Sequence, residues 1–203
     1  MEHCILHSNS LFIWVLPNDQ EQKEISINEE FIAKNLNKKK SKQYKYSRGY
    51  MRYFLSKLFD INPLQVPLYS NPGEAPQLPP EFGFLSISHT IDALAIIWSK
   101  EKVGIDIERY DRKIHSLELL KKFLNNPKTL EESYSDNEEL RVKLLSMWVI
   151  KEALVKRDNT SIASNFKNWK INNEFTQAIN VVNNQEVLIR NKRYKDWILG
   201  LAY

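Results

Sequence analysis

Cysteine is nearly absent: Cys4 is the single one in 203 residues. No internal disulfide can form, which fits a reducing compartment. Long apolar runs are missing too. The best one near the start, Leu11 to Leu16, ends at Pro17 and has no basic lead. It is too short for a signal-peptide core or a membrane span, so a first strand in a cytoplasmic protein with no membrane partner is expected. No Gly-x-Ser-x-Gly elbow occurs, which argues against a serine hydrolase of that type. His3, His7 and His115 have no metal-ligand spacing. There is no short tandem repeat and no regular βαβ alternation. Acids are absent from Phe31 to Phe59, a stretch that carries Lys34, Lys38, Lys39, Lys40, Lys42, Lys45, Arg48, Arg52 and Lys57.

What is present describes an ordered, mildly basic chain. Hydrophobic residues make up 42 %, enough for a core, and five Trp with nine each of Tyr and Phe argue against disorder. The net charge of +4 suggests an acidic or phosphorylated partner. Residues 5–16 read as a strand. Ser26 and Glu29 form a capping-box pattern that predicts a helix from about 27 to 38. "YSRGYMRYFLSKLF" predicts a second helix. Residues 62–83, rich in proline, read as an ordered loop. "FLSISH" and "DALAIIWS" predict a hairpin, and "VGIDIE" a third strand. Leu117 to Leu124 and Leu140 to Lys156 read as helices. Trp169 to Ile171, Glu186 to Arg190 and Trp197 to Ala202 read as strands. The mixed order argues for an α+β fold.

Three short stretches carry chemistry. In "VGIDIERY" (103–110), strand alternation sends Ile105 and Ile107 one way and Gly104, Asp106 and Glu108 the other. The acids are then about 6–7 Å apart. Such a pair is either the wet face of a half-buried strand or a seat for a divalent cation that offsets the repulsion. Gly104 would leave room for a ligand to approach. In "WVIKEALVK" (148–156), Trp148, Lys151, Glu152 and Lys156 share one helix side. That stripe is either a solvated ion pair or a base, or metal ligand, beside phosphate-binding cations. "SISHT" (86–90) is either an ordinary turn or a phosphate clamp built from Ser88 and His89. Ser88 and His89 are adjacent, too close in sequence for a nucleophile and its base.

In this order and spacing, "SISHT", "GIDIE" and "WVIKEALVK" resemble the 4'-phosphopantetheinyl transferases, and most closely the larger, monomeric type that activates peptide synthetases. The resemblance covers roughly residues 35 to 160. It implies two pseudo-symmetric halves, 1–100 and 101–203, each a small, mostly antiparallel sheet packed with a long helix, with the active site in the cleft between them. It implies that coenzyme A binds there and that Mg2+ is held by Asp106, Glu108 and Glu152. Glu152 would alternatively take the proton from the serine of an apo acyl or peptidyl carrier protein, and 3',5'-ADP would leave. Asp106, Glu152 and Lys156 would be the catalytic residues. Lys40, Arg48, Ser88, His89, Lys151 and Lys156 would serve the phosphates of coenzyme A. The basic stretch from Lys34 to Lys57 is either a solvated helix face or a patch that would steer an acidic carrier and also touch the nucleotide phosphates. Two departures stand out. Where many members have a further acid, this chain reads "KKFLNNPKTLEE", with Glu131 and Glu132 falling late. Gly73, Glu74, Ala75 and Pro76 replace Gly-Lys-Pro. They motivate a second reading, a non-catalytic binder of coenzyme A or carrier protein. A third, a nucleic-acid binder, comes from Tyr44, Tyr46, Tyr50 and Tyr53 interleaved with cations.

Overall fold

The computed structural model describes residues 4–8, 11–70, 74–113, 138–160 and 166–203. The expected helix at 117–124, the acids Glu131 and Glu132, and Gly73 lie outside these residues.

The apolar N-terminal run forms two antiparallel strands, β1 (Cys4–Ser8) and β2 (Leu11–Pro17), where the sequence predicted one. The predicted hairpin is present as β3 (Phe84–His89) and β4 (Ala93–Ser99). These four strands make one sheet in the order β1-β2-β4-β3. Every residue of β4 is buried, as its unbroken apolar run requires of a central strand.

Two helices belong with this sheet. The first, α1 (Ile27–Lys34), starts on the expected capping box: Ser26 and Glu29 satisfy each other's backbone N–H groups. It ends four residues earlier than predicted because Asn37 caps the next helix, α2 (Lys38–Phe59). Tyr46, Tyr50 and Phe54, spaced by four, bury on Trp14, Leu16, Leu94 and Ile96. Two cations of the acid-free stretch are structural. Arg52 is buried, pairs with Glu29 at 2.7 Å and donates to the carbonyls of Pro63 and Val66. Removing one partner of such a buried pair costs about 3–5 kcal/mol. Arg48 is buried as well and donates to Ser70 Oγ. The proline-rich loop holds two 3-10 turns, Pro63–Gln65 and Pro80–Phe82.

The second sheet contains β5 (Gly104–Arg109), β6 (Trp169–Ile171), β7 (Gln177–Asn180), β8 (Glu186–Tyr194) and β9 (Trp197–Ala202), in the order β5-β9-β8-β7-β6. The strand β7 was not predicted; it is short, with polar residues at both ends. At the other end of the sheet β5 pairs antiparallel with β9, so "VGIDIE" joins this sheet rather than extending the β3–β4 hairpin. Ile105 and Ile107 of β5 join Ile13, Val15, Ala95 and Ile97 of the first sheet and Leu199 and Leu201 of β9 in one core.

The long helix α3 (Glu138–Arg157) crosses β5 and β9. Glycine makes this close crossing possible. A Cβ on Gly104 would stand 1.9 Å from the Ala153 carbonyl oxygen, and one on Gly200 would stand 2.3 Å from that of Val149. Gly104 therefore admits the backbone of α3, which corrects the expectation that it makes room for a ligand. Both faces of β5 are covered, and Asp106 is 5 % exposed, so a wet outer face is excluded for it. The fold is α+β, with two antiparallel sheets and three helices among the described residues.

Candidate active site

Edge strands β3 and β5 meet through side chains. Ser86 Oγ accepts from the Ile105 backbone N–H at 3.3 Å, and Ser88 Oγ donates to Asp106 Oδ1 at 2.7 Å. Both serines are buried. The "SIS" alternation thus points two hydroxyls from the edge of one sheet at the edge of the other. Ser88 is engaged by an acid, a different arrangement from the open phosphate clamp read from the sequence.

From the other side, α3 delivers Lys156. Its Nζ lies 2.7 Å from the same Asp106 Oδ1. Asp106 Oδ2 is buried with no hydrogen-bond partner. A buried carboxylate oxygen left in this state is costly unless something else engages it.

Glu152, one turn before Lys156, is also buried. Burial, the main cause, and the Asp106 charge push its carboxyl up to about 7, against the pull of Lys156. Glu108 is raised as well, first by burial, then by Asp106, while Arg112 opposes the shift. Arg112 forms an ion pair with Glu108. The three acids Asp106, Glu108 and Glu152 therefore lie within one another's electrostatic reach. His89 sits beside them. Its pKa is lowered by partial burial and by Lys156, with Asp106 pulling the other way.

A cavity of about 270 Å³ opens next to His89, lined also by Lys39, Lys42, Gln43, Ser47 and Ile91. Lys39 and Lys42 belong to the basic stretch expected to touch the nucleotide phosphates, and their spacing of three on α2 puts them on one helix face. Lys40 is exposed and does not line this cavity. Lys151 does not join the acids: it is buried, donates to the Phe166 carbonyl at 2.8 Å, and is lowered by burial to about 8. Its placement with Glu152 on a polar helix side fails because that side is covered. Tyr46 and Tyr50 are core residues that donate to the Pro17 and Glu21 carbonyls, so they are not a base-stacking platform.

Among the described residues, no group of three or more His, Cys, Asp or Glu side chains is assembled to hold a metal ion. Asp106 and Glu108 are instead paired with Lys156 and Arg112. The donors nonetheless suit a hard cation. Mg2+ takes one or two carboxylates and completes its shell with water and phosphate oxygens. The orphaned Asp106 Oδ2 is a carboxylate oxygen of that kind.

An α+β scaffold that buries an acid–lysine cluster beside a lysine-lined cavity suits the handling of a phosphorylated ligand. Residues 102–202 match the 4'-phosphopantetheinyl transferase superfamily, and the chain belongs to it through this C-terminal half. The family acts on carrier proteins using coenzyme A. Among curated proteins none matches the chain. No described helix is long and apolar enough to cross a membrane.

Proposed function

We propose that this protein transfers the 4'-phosphopantetheine arm of coenzyme A to a serine of an apo carrier protein in the presence of Mg2+. The observation that carries this reading is the junction at Asp106. A buried acid held by Ser88 and Lys156 has a second oxygen without a partner, and Glu152 lies within its field.

Asp106 and Glu108 would hold the cation, which when bound would engage diphosphate oxygens and offset their charge. Glu152, poised at about 7, is matched to accepting the serine proton at neutral pH. The serine Oγ attacks the β-phosphorus, the bond from that phosphorus to the bridging oxygen breaks, and 3',5'-ADP leaves with the bridging oxygen. Lys156 offers its ammonium to the charge that gathers on the departing phosphate. His89 can donate a hydrogen bond to a nucleotide phosphate, and Lys39 and Lys42 bring cationic charge to the same cavity. In this reading they take the place assigned to Lys40 in the sequence. The exposed lysines Lys34, Lys38, Lys40 and Lys57 would draw an acidic carrier towards α2.

The test is a mass measurement on a panel of apo acyl and peptidyl carrier proteins mixed with coenzyme A, Mg2+ and this protein. Transfer adds the mass of one phosphopantetheine arm to a carrier. Asp106→Ala is expected to lower the rate at least a hundredfold while the fold persists. Coenzyme A binding in calorimetry with no arm added to any carrier would replace the transferase by a non-catalytic binder. An unchanged rate in Asp106→Ala would remove the metal site.

A further inference from the structure

Each acid on β5 has its own cation, and the two cations are held differently. Asp106 pairs with Lys156, which sits on a helix, and that ammonium-bearing side chain is 29 % exposed. Glu108 pairs with Arg112, four residues on, in the segment that follows β5. The Arg112 side chain is 42 % exposed. Its guanidinium carbon also lies 5.6 Å from the centre of the Trp148 ring on α3. The backbone under it is anchored: Arg141 of α3 donates to the carbonyl of Arg112 at 3.0 Å and to that of Tyr110 at 2.6 Å. Arg141 itself pairs with Glu138 in the first turn of the same helix. Arg112 is thereby stationed over Glu108 and against the indole face of Trp148 at the same time.

This arrangement bears on how a divalent cation enters. Asp106 and Glu108 each face a local cation, so adding a doubly charged ion without moving either cation would crowd positive charge around these two carboxylates. The partner that gives way is the one that loses least on leaving. Lys156 is the more buried of the two, and its Asp106 contact shares an oxygen with Ser88. Arg112 is better solvated, and the Trp148 contact it already makes does not depend on the carboxylate. We propose that Arg112 is a resident counter-ion of Glu108 that competes with the divalent cation and is displaced when the cation binds. The inference rests on the reading of Asp106 and Glu108 as the cation-holding pair. It adds a residue that tunes the affinity of that pair rather than one that takes part in transfer.

The experiment is Mn2+ binding to the full chain without coenzyme A, followed by electron paramagnetic resonance of the free ion. Arg112→Gln is expected to bind Mn2+ about fivefold tighter than the wild type, the scale of a partly exposed ion pair removed as competitor. Arg112→Lys, which restores the charge, is expected to bind close to the wild-type value, an outcome that a merely structural role for Arg112 would not produce. Equal or weaker binding by Arg112→Gln overturns the inference. Should Arg112→Gln fail to fold, nuclear magnetic resonance of the wild-type Arg112 Nε–H, identified by its loss in Arg112→Lys, gives the answer. That resonance is expected to shift on Mg2+ addition, and a resonance that stays in place overturns the inference. The two readings fail separately. Wild-type binding with no tightening in Arg112→Gln removes only the counter-ion role. No Mn2+ binding by the wild type or by Arg112→Gln removes the metal site itself, and the counter-ion role with it.

Discussion

Replacing Glu152 by glutamine should make the metal-free protein more stable, and by more at high pH than at low. The carboxyl of Glu152 is raised from 4.5 to about 7, chiefly by burial. A group raised in this way favours the folded state only while it is protonated. Its contribution is fully present below the unfolded value of 4.5 and is lost as pH rises through about 7. Glutamine keeps the neutral shape and loses nothing over that window. A raise of this size corresponds to about 3 kcal/mol. Most of it falls between pH 5 and pH 8, so Glu152→Gln should gain about 2.5 kcal/mol more over the wild type at pH 8 than at pH 5. For a chain of this length that is a rise in Tm difference of about 5–10 °C. The assay is urea unfolding with a chelator at the two pH values, with transfer measured in parallel. Transfer should fall by orders of magnitude while stability rises, because the residue is strained for its chemistry. The same ΔΔG at both pH values, or a variant less stable than wild type at pH 8, would show that Glu152 is not held protonated by its surroundings.

Two other expectations follow from the packing. Gly104→Ala drives a methyl into the Ala153 carbonyl and must lift α3 from β5; it should cost about 3 kcal/mol or more in urea unfolding and weaken transfer, because Lys156 and Glu152 ride on that helix. Lys151→Met should change coenzyme A affinity less than about twofold, since Lys151 is committed to the Phe166 carbonyl, while Lys42→Glu should weaken it by about tenfold or more, a loss that shrinks with added salt; calorimetry separates the two.

The local patterns were legible in the chain. The capping box at Ser26 and Glu29, the β3–β4 hairpin, the alternation that puts Asp106 opposite Ile105 and Ile107, and the i,i+4 placing of Glu152 and Lys156 all depend on neighbours a few residues away. Helical and strand periods are enough to read them. The motif order was enough to point at the family. What depended on distant residues was not legible. The division of the N-terminal apolar run into β1 and β2 and the short strand β7 carry weak local signals. The partner of β5 is β9, almost a hundred positions later, and nothing in "VGIDIE" selects it over the preceding hairpin. Gly104 read as an opening for a ligand because the helix that fills the space lies far along the chain. Lys151 and Glu152 are adjacent in sequence and share one helix side by period, but packing sends one to the Phe166 carbonyl and the other to the acids. Which lysines of α2 line the cavity beside His89, Lys39 and Lys42 rather than Lys40, shows only once α2 is set against His89. The sequence by itself determined which groups of suitable chemistry exist and which face of its own element each takes. Only the tertiary structure decided which of those faces are buried together, because charge pairing and desolvation depend on the distance through space between groups the chain keeps far apart.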